Sequence, residues 1–135
     1  MKGLRSLVCV AAVVWPLAVF SQGDSQLEVP RGLWETELDA SGIRFHVRTK
    51  RCGRALCGRV ERVKNRRGYD APSNAVSAQV LVQMRPQPDG SFFGEARDTT
   101  ARSFPQSRVV LRGDSLIVRF CQGDTCKEQA WKRLR

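Results

Sequence analysis

"GIRFHVRTKRCGRALCGRV", residues 42–60, is the stretch that decides the fold. In its first half Ile43, Phe45 and Val47 alternate with Arg44, His46 and Arg48. A period of two puts the apolar set on one face of a strand and the basic set on the other, the mark of a half-buried strand. Cys52 and Cys57 then bracket a turn containing Gly53-Arg54, and a second run, "ALCGRVERV" (55–63), follows at once. Two such runs across a short glycine-bearing turn predict a hairpin.

Working outward, comparable runs recur to the end of the chain. "AQVLVQM" (78–84), "SFFGEAR" (91–97), "SRVVLRG" (107–113), "SLIVRFC" (115–121) and "KEQAWKRL" (127–134) follow an opening "GLWETEL" (32–38). Ala40-Ser41-Gly42, Pro88-Asp89-Gly90, Gly113-Asp114 and Gly123-Asp124 separate most of them, and such pairs supply the positive backbone angles of tight turns. Eight sequential strands with short turns predict an all-β, eight-stranded up-and-down antiparallel barrel, because closure removes the exposed edges of an open meander. Residues 72–79 are the one place where a short helical turn is expected. The connection "KNRRGYDAPSNAVS" (64–77) is long, polar and basic, and long loops in compact domains are functional or disordered.

The N-terminus sets the compartment. Met1-Lys2-Gly3-Leu4-Arg5 is basic, "LVCVAAVVWPLAVF" (7–20) is uncharged and apolar, and "SQGDSQ" is small and polar. That order predicts a secretory signal peptide over 1–21, cleaved near residues 21–23, with one domain over 31–134. An uncleaved anchor is the alternative, although the apolar run is short for a membrane span. Cleavage removes Lys2 and Arg5, so the formal charge falls from +10 to +8. It also removes Cys9 and leaves four cysteines in an oxidising compartment, periplasmic or secreted.

The spacing of Cys52/Cys57 returns in "CQGDTC", Cys121/Cys126. A redox centre of the thioredoxin kind needs C-x-x-C, which neither pair has. Each pair brackets a glycine-containing turn, so local staples across hairpin mouths fit best; long-range pairing and a zinc site are the alternatives.

Gly32-Leu33-Trp34, "CGRALCGRV", "DGSFFGEARD" and a closing "CKEQAWKR", in that order, resemble the secreted bacterial domain-of-unknown-function family 2147 over about residues 31–134. The resemblance implies an exported lipocalin-like barrel and brings no reaction or ligand. The family's middle segment continues into a Tyr-Asp-Pro turn; here Asp98 matches, but the aromatic and the proline are absent from "ARDT" (96–99). The lipocalin likeness further implies a barrel plug. Trp34 would close one end with Arg133 across its ring, and Gly32 would allow close packing there. Ordinary core aromatics and a solvated Arg133 are the plainer possibility.

Reactive groups are scarce. The single histidine, His46, lies on the arginine side of its strand and is expected to be exposed; no G-x-S-x-G and no H-E-x-x-H occurs. Glu95, Asp98 and Asp114 are scattered, so only a carboxylate pair assembled by the fold would support hydrolysis. Binding is therefore expected rather than catalysis, with no cofactor and no metal. The first form is a small apolar or amphipathic ligand inside the barrel, against Phe45, Val80, Val82, Met84, Phe92, Val118 and Phe120, which would otherwise be plain core. The second is an anionic envelope lipid or polysaccharide on an outer patch of Arg44, Arg48, Lys50, Arg51, Arg54 and Arg59, extended by Lys64, Arg66 and Arg67. Solvated strand faces are the plainer reading of that patch. An acidic protein partner is a third form; nucleic acid is not expected.

Overall fold

A computed structural model of the chain describes Gly3, residues 10–14 and residues 28–135. The leader over 1–21 therefore lies largely outside the described residues. No described helix is long and apolar enough to cross a membrane.

Eight strands form: β1 Gly32–Glu35, β2 Arg44–Cys52, β3 Ala55–Lys64, β4 Gln79–Pro86, β5 Phe92–Arg97, β6 Ser103–Arg112, β7 Ser115–Gln122 and β8 Thr125–Leu134. Each pairs antiparallel with its neighbour in sequence, and β1 pairs with β8, so the expected up-and-down sheet closes into a barrel. β1 stops short of the run "GLWETEL", at the point where the Thr36 hydroxyl takes over as acceptor for the Phe45 N–H (2.9 Å). Residues 74–77 form turns rather than a helix.

Both cysteine pairs are local bridges. Cys121 and Cys126 face each other directly in the β7–β8 register, with alpha-carbons 4.2 Å apart. Cys52 and Cys57 are joined diagonally across β2–β3, at 5.9 Å. Each closes a loop of six residues, and chain-entropy arithmetic gives such a bridge about 2 kcal/mol. They clamp hairpins and leave the barrel's topology to the sheet.

The interior is packed. Phe45, Val80, Met84, Phe92, Val118 and Phe120 face inward as alternation predicts. Val82 does not. The β3–β4 register slips where Gly58 and Arg59 face Leu81 and Gln79, so Val80 and Leu81 both turn inward. Gln83 then adopts a positive φ of 42°, where the β4–β5 register slips between Val82 and Arg85 and returns Met84 to the core. A bulge of this kind breaks the period of two. Leu81 turns inward instead, fully buried, and Val82 is left half-buried on the wall. Room for Leu81 comes from its cross-strand partner Gly58, where a Cβ would lie 3.2 Å from Leu81 Cγ and 3.1 Å from Val47 Cγ1.

Trp34, Val47, Leu56, Leu81, Met84, Ala96, Val109, Leu116 and Val118 all have zero solvent-accessible surface. A void able to hold a water molecule would give its lining some accessible area, so none of these side chains borders one. Of the residues expected to line a pocket, all but Val82 are buried in this core, and Phe120 also borders a cleft of about 230 Å³ at the mouth beside Phe104 and Lys127.

The mouth is covered as well. Ile43, Ala71 and Ala75 pack against the core from the β1–β2 and β3–β4 connections. The long 64–77 segment is folded: Asn65 Oδ1 accepts the N–H groups of Arg67 and Tyr69, and Lys64 bridges to Asp70 at 2.7 Å. Across the mouth, Thr99 donates its hydroxyl to Asp39 at 2.7 Å.

Candidate functional site

The end of the barrel opposite this mouth is where the unusual chemistry lies. Trp34 sits directly across the β1–β8 ladder from Arg133. The Arg133 guanidinium lies 4.3 Å from the Trp34 ring centroid, a cation–π contact of about 0.5–2 kcal/mol. Its Nη1 also donates to the Arg31 carbonyl at 2.8 Å. The buried Trp34 indole N–H donates to the Thr49 hydroxyl (2.8 Å), which donates in turn to the Pro30 carbonyl (2.6 Å). These bonds tie residues 28–31 across the barrel floor as a strap whose middle residues, Val29 and Pro30, are buried. Gly32 has φ +147°, and a Cβ there would stand 2.7 Å from Arg133 Nη1. The three residues of the expected plug are thus in mutual contact.

The outer basic patch is not brought together as expected. Arg44 and Lys64 are cross-strand partners near the mouth, whereas Arg51 pairs with Leu56 beside the opposite turn. The nine residues of β2 span about 27 Å at strand rise, so Lys64, Arg66 and Arg67 stand at the far end from Arg51 and Arg54. Much of the wall is also neutralised. Arg44 pairs with Glu35 at 2.7 Å, Arg48 with Glu61 at 3.0 Å and Lys64 with Asp70, while Arg59 donates to the Ser77 carbonyl at 3.2 Å. Like charges lie opposite each other at Arg44/Lys64 and Arg48/Arg59, and the acids between them relieve the repulsion. His46 is half-buried rather than exposed, its Nε2 3.0 Å from Glu35. Burial acts most on the Glu35 carboxyl and pushes it up, but His46 and Arg44 together outweigh it and hold the group below its ordinary value.

A different set of arginines does converge. In an up-and-down barrel alternate turns share an end, so the β2–β3, β4–β5 and β6–β7 turns meet beside the start of β1 and the end of β8. Each of these five chain segments carries arginine. Arg31 leads into β1, Arg51 and Arg54 flank the first turn, and Arg85 precedes the second. Arg112 opens the third, and Arg133 and Arg135 close the chain. Among the described residues the acids at this end are Glu28, Asp89 and Asp114. Asp89 is taken by Arg108 at 3.0 Å and Asp114 by Arg135 at 3.6 Å. Arg31, Arg54, Arg85 and Arg112 are exposed and form no salt bridge with a described carboxylate. Two exposed apolar side chains stand among them, Leu111 (42% exposed) and Phe93 (37%).

Arg31, Arg85, Arg112 and Arg135 lie outside the expected patch, because grouping cations by neighbouring strands does not bring them together. The signal that finds them is turn parity, and it needs only the strand order. Among the described residues no group of three His, Cys, Asp or Glu side chains is placed to hold a metal ion. Comparison with family models, with curated proteins and with solved structures returns no match for the chain.

Proposed function

We propose that the mature chain is an exported, disulfide-stapled, lipocalin-like binding protein that attaches to the anionic surface of envelope lipid through its arginine-rich closed end. The observation that carries this reading is the convergence of arginine from five chain segments on one end, with Arg31, Arg54, Arg85 and Arg112 forming no salt bridge to a described carboxylate. Guanidinium forks match phosphate oxygens, and each cation near an anionic bilayer contributes about 1 kcal/mol. Four such contacts give about 4 kcal/mol, a millimolar attraction that apolar anchors strengthen. Leu111 and Phe93 favour lipid over polysaccharide, since exposed apolar side chains among cations gain from an acyl boundary. Two local disulfides fit an oxidising compartment. A guest inside the barrel would have to displace Leu81 or Met84, both fully buried, so the outer reading is preferred.

Sedimentation of the oxidised mature protein with phosphatidylglycerol or phosphatidylcholine vesicles tests this. Binding should require the anionic lipid and weaken steeply between about 0.05 and 0.5 M salt. The double variant R54E/R112E at the closed end should abolish it, whereas R66E/R67E at the mouth should leave it intact. Equal loss from both variants would reduce the effect to net charge and overturn the assignment.

A further inference from the structure

The strap at residues 28–31 does not lie flat on the barrel floor. It leaves a cleft of about 650 Å³ lined by Glu28, Val29, Pro30, Arg31, Arg51, Leu111 and Arg133. That volume falls in the range of small-molecule sites. Among the described residues, three arginines and one carboxylate line it, with Val29, Pro30 and the exposed Leu111 alongside. Two of the arginines are held in place: Arg51 Nε donates to the Gly53 carbonyl at 2.7 Å, and Arg133 is fixed between Trp34 and the Arg31 carbonyl. Fixed forks recognise an oxyanion with little ordering to supply on binding.

We infer that this cleft is a specific site for a phosphate-headed amphiphile, the phosphate held by Arg31, Arg51 and Arg133 and the first acyl carbons lying on Leu111. The inference rests on the closed-end reading and narrows it from a charged surface to one headgroup site. A purely electrostatic patch has no use for an apolar wall beside the guanidiniums. A purely apolar groove has no use for three of them. Glu28 lies in the same cleft and forms no salt bridge with a described residue, so it opposes any anion that enters. It thereby discriminates against weakly charged heads.

The site also carries its own reporter. Of the three tryptophans, Trp15 lies in the expected leader, leaving Trp34 and Trp131 in the mature chain. Trp34 touches Arg133, while the Trp131 indole N–H is bonded to Gln129 at 3.0 Å. An anion on Arg133 shifts the Trp34 indole resonance and leaves that of Trp131 in place.

The test is a titration of the oxidised mature protein with monomeric dihexanoyl phosphatidic acid, followed by the two indole N–H resonances, with inorganic phosphate titrated in parallel. The expected result is saturable movement of the Trp34 signal alone, with the lipid binding at least about tenfold tighter than phosphate through its acyl carbons. R51Q should weaken the lipid about tenfold, the scale of one lost charge-assisted hydrogen bond, and E28Q should tighten it. R66E/R67E, at the opposite mouth, should leave it unchanged. Equal affinity for phosphate and lipid would overturn the amphiphile assignment and leave a free-phosphate site. No saturable shift with vesicle binding preserved would overturn the cleft but not the closed-end reading. A saturable shift without vesicle binding would support the cleft and remove the membrane reading.

Discussion

Replacing Gly32 by alanine probes the barrel floor at its tightest point. Two separable effects oppose the new side chain. A φ of +147° is a backbone angle that side-chain-bearing residues avoid, and holding one there costs about 1–3 kcal/mol. The new Cβ would also stand 2.7 Å from Arg133 Nη1, so the guanidinium must leave its place. It then forfeits the cation–π contact with Trp34, about 0.5–2 kcal/mol, and a charge-assisted hydrogen bond to the Arg31 carbonyl of about 1–2 kcal/mol. The expected loss is about 2.5–7 kcal/mol. Gly53→Ala is the control, because Gly53 has φ +63° with nothing within 4 Å of the new Cβ, and it should cost only about 1–2 kcal/mol. Urea unfolding of the oxidised proteins gives both values. In an Arg133→Ala background the Gly32→Ala cost should fall by about 1–3 kcal/mol, since the clash is gone. Equal costs for the two glycine variants, with no coupling to Arg133, would refute the plug as a mechanical unit.

Leu81→Ala should destabilise by about 2–5 kcal/mol, whereas Val82→Ala should cost about 1 kcal/mol or less, and the same urea curves decide which of the two faces the core. Removing Cys52 and Cys57 together should lower stability by about 2 kcal/mol while leaving the far-ultraviolet circular dichroism of the barrel unchanged. For Asp39 and Asp98, burial is the largest influence and pushes each carboxyl up. Hydrogen bonds from Ile43, Thr99 and Ser41 on Asp39, and from Thr100, Lys127 and Arg102 on Asp98, outweigh it and lower both below 3.8. Groups depressed in the folded state add stability that is complete above the unfolded value near 3.8 and is lost as pH falls through the folded values. The thermal midpoint should therefore drop on acidification below pH 4, and Asp39→Asn should make that drop shallower.

The fold was legible because its signal is local. Ile43, Phe45 and Val47 against Arg44, His46 and Arg48 need no partner to declare a strand, and the cysteine pairs declare their hairpins in the same way. Alternation failed at Val82, where the register slips of β4 depend on how it meets two neighbours at once, and no window of β4 alone contains that information. No local window contains the Trp34–Arg133 pair, since the two residues meet by closure of the first strand on the last. The basic patch was misplaced for a related reason. Arg44 and Arg51 are close in sequence but at opposite ends of one strand, whereas Arg31, Arg54 and Arg112 are distant in sequence and share an end. Local charge clusters do not survive the geometry of a meander; turn parity does.

The most direct measurement is site-resolved nuclear magnetic resonance of the oxidised mature protein on phosphatidylglycerol nanodiscs carrying a gadolinium-labelled lipid. Amides in the closed-end turns, residues 52–55, 86–91 and 112–115, should broaden, and those of the mouth connections, residues 65–69 and 98–102, should stay sharp. Broadening at the mouth, or evenly around the barrel, would contradict attachment through the arginine-rich end.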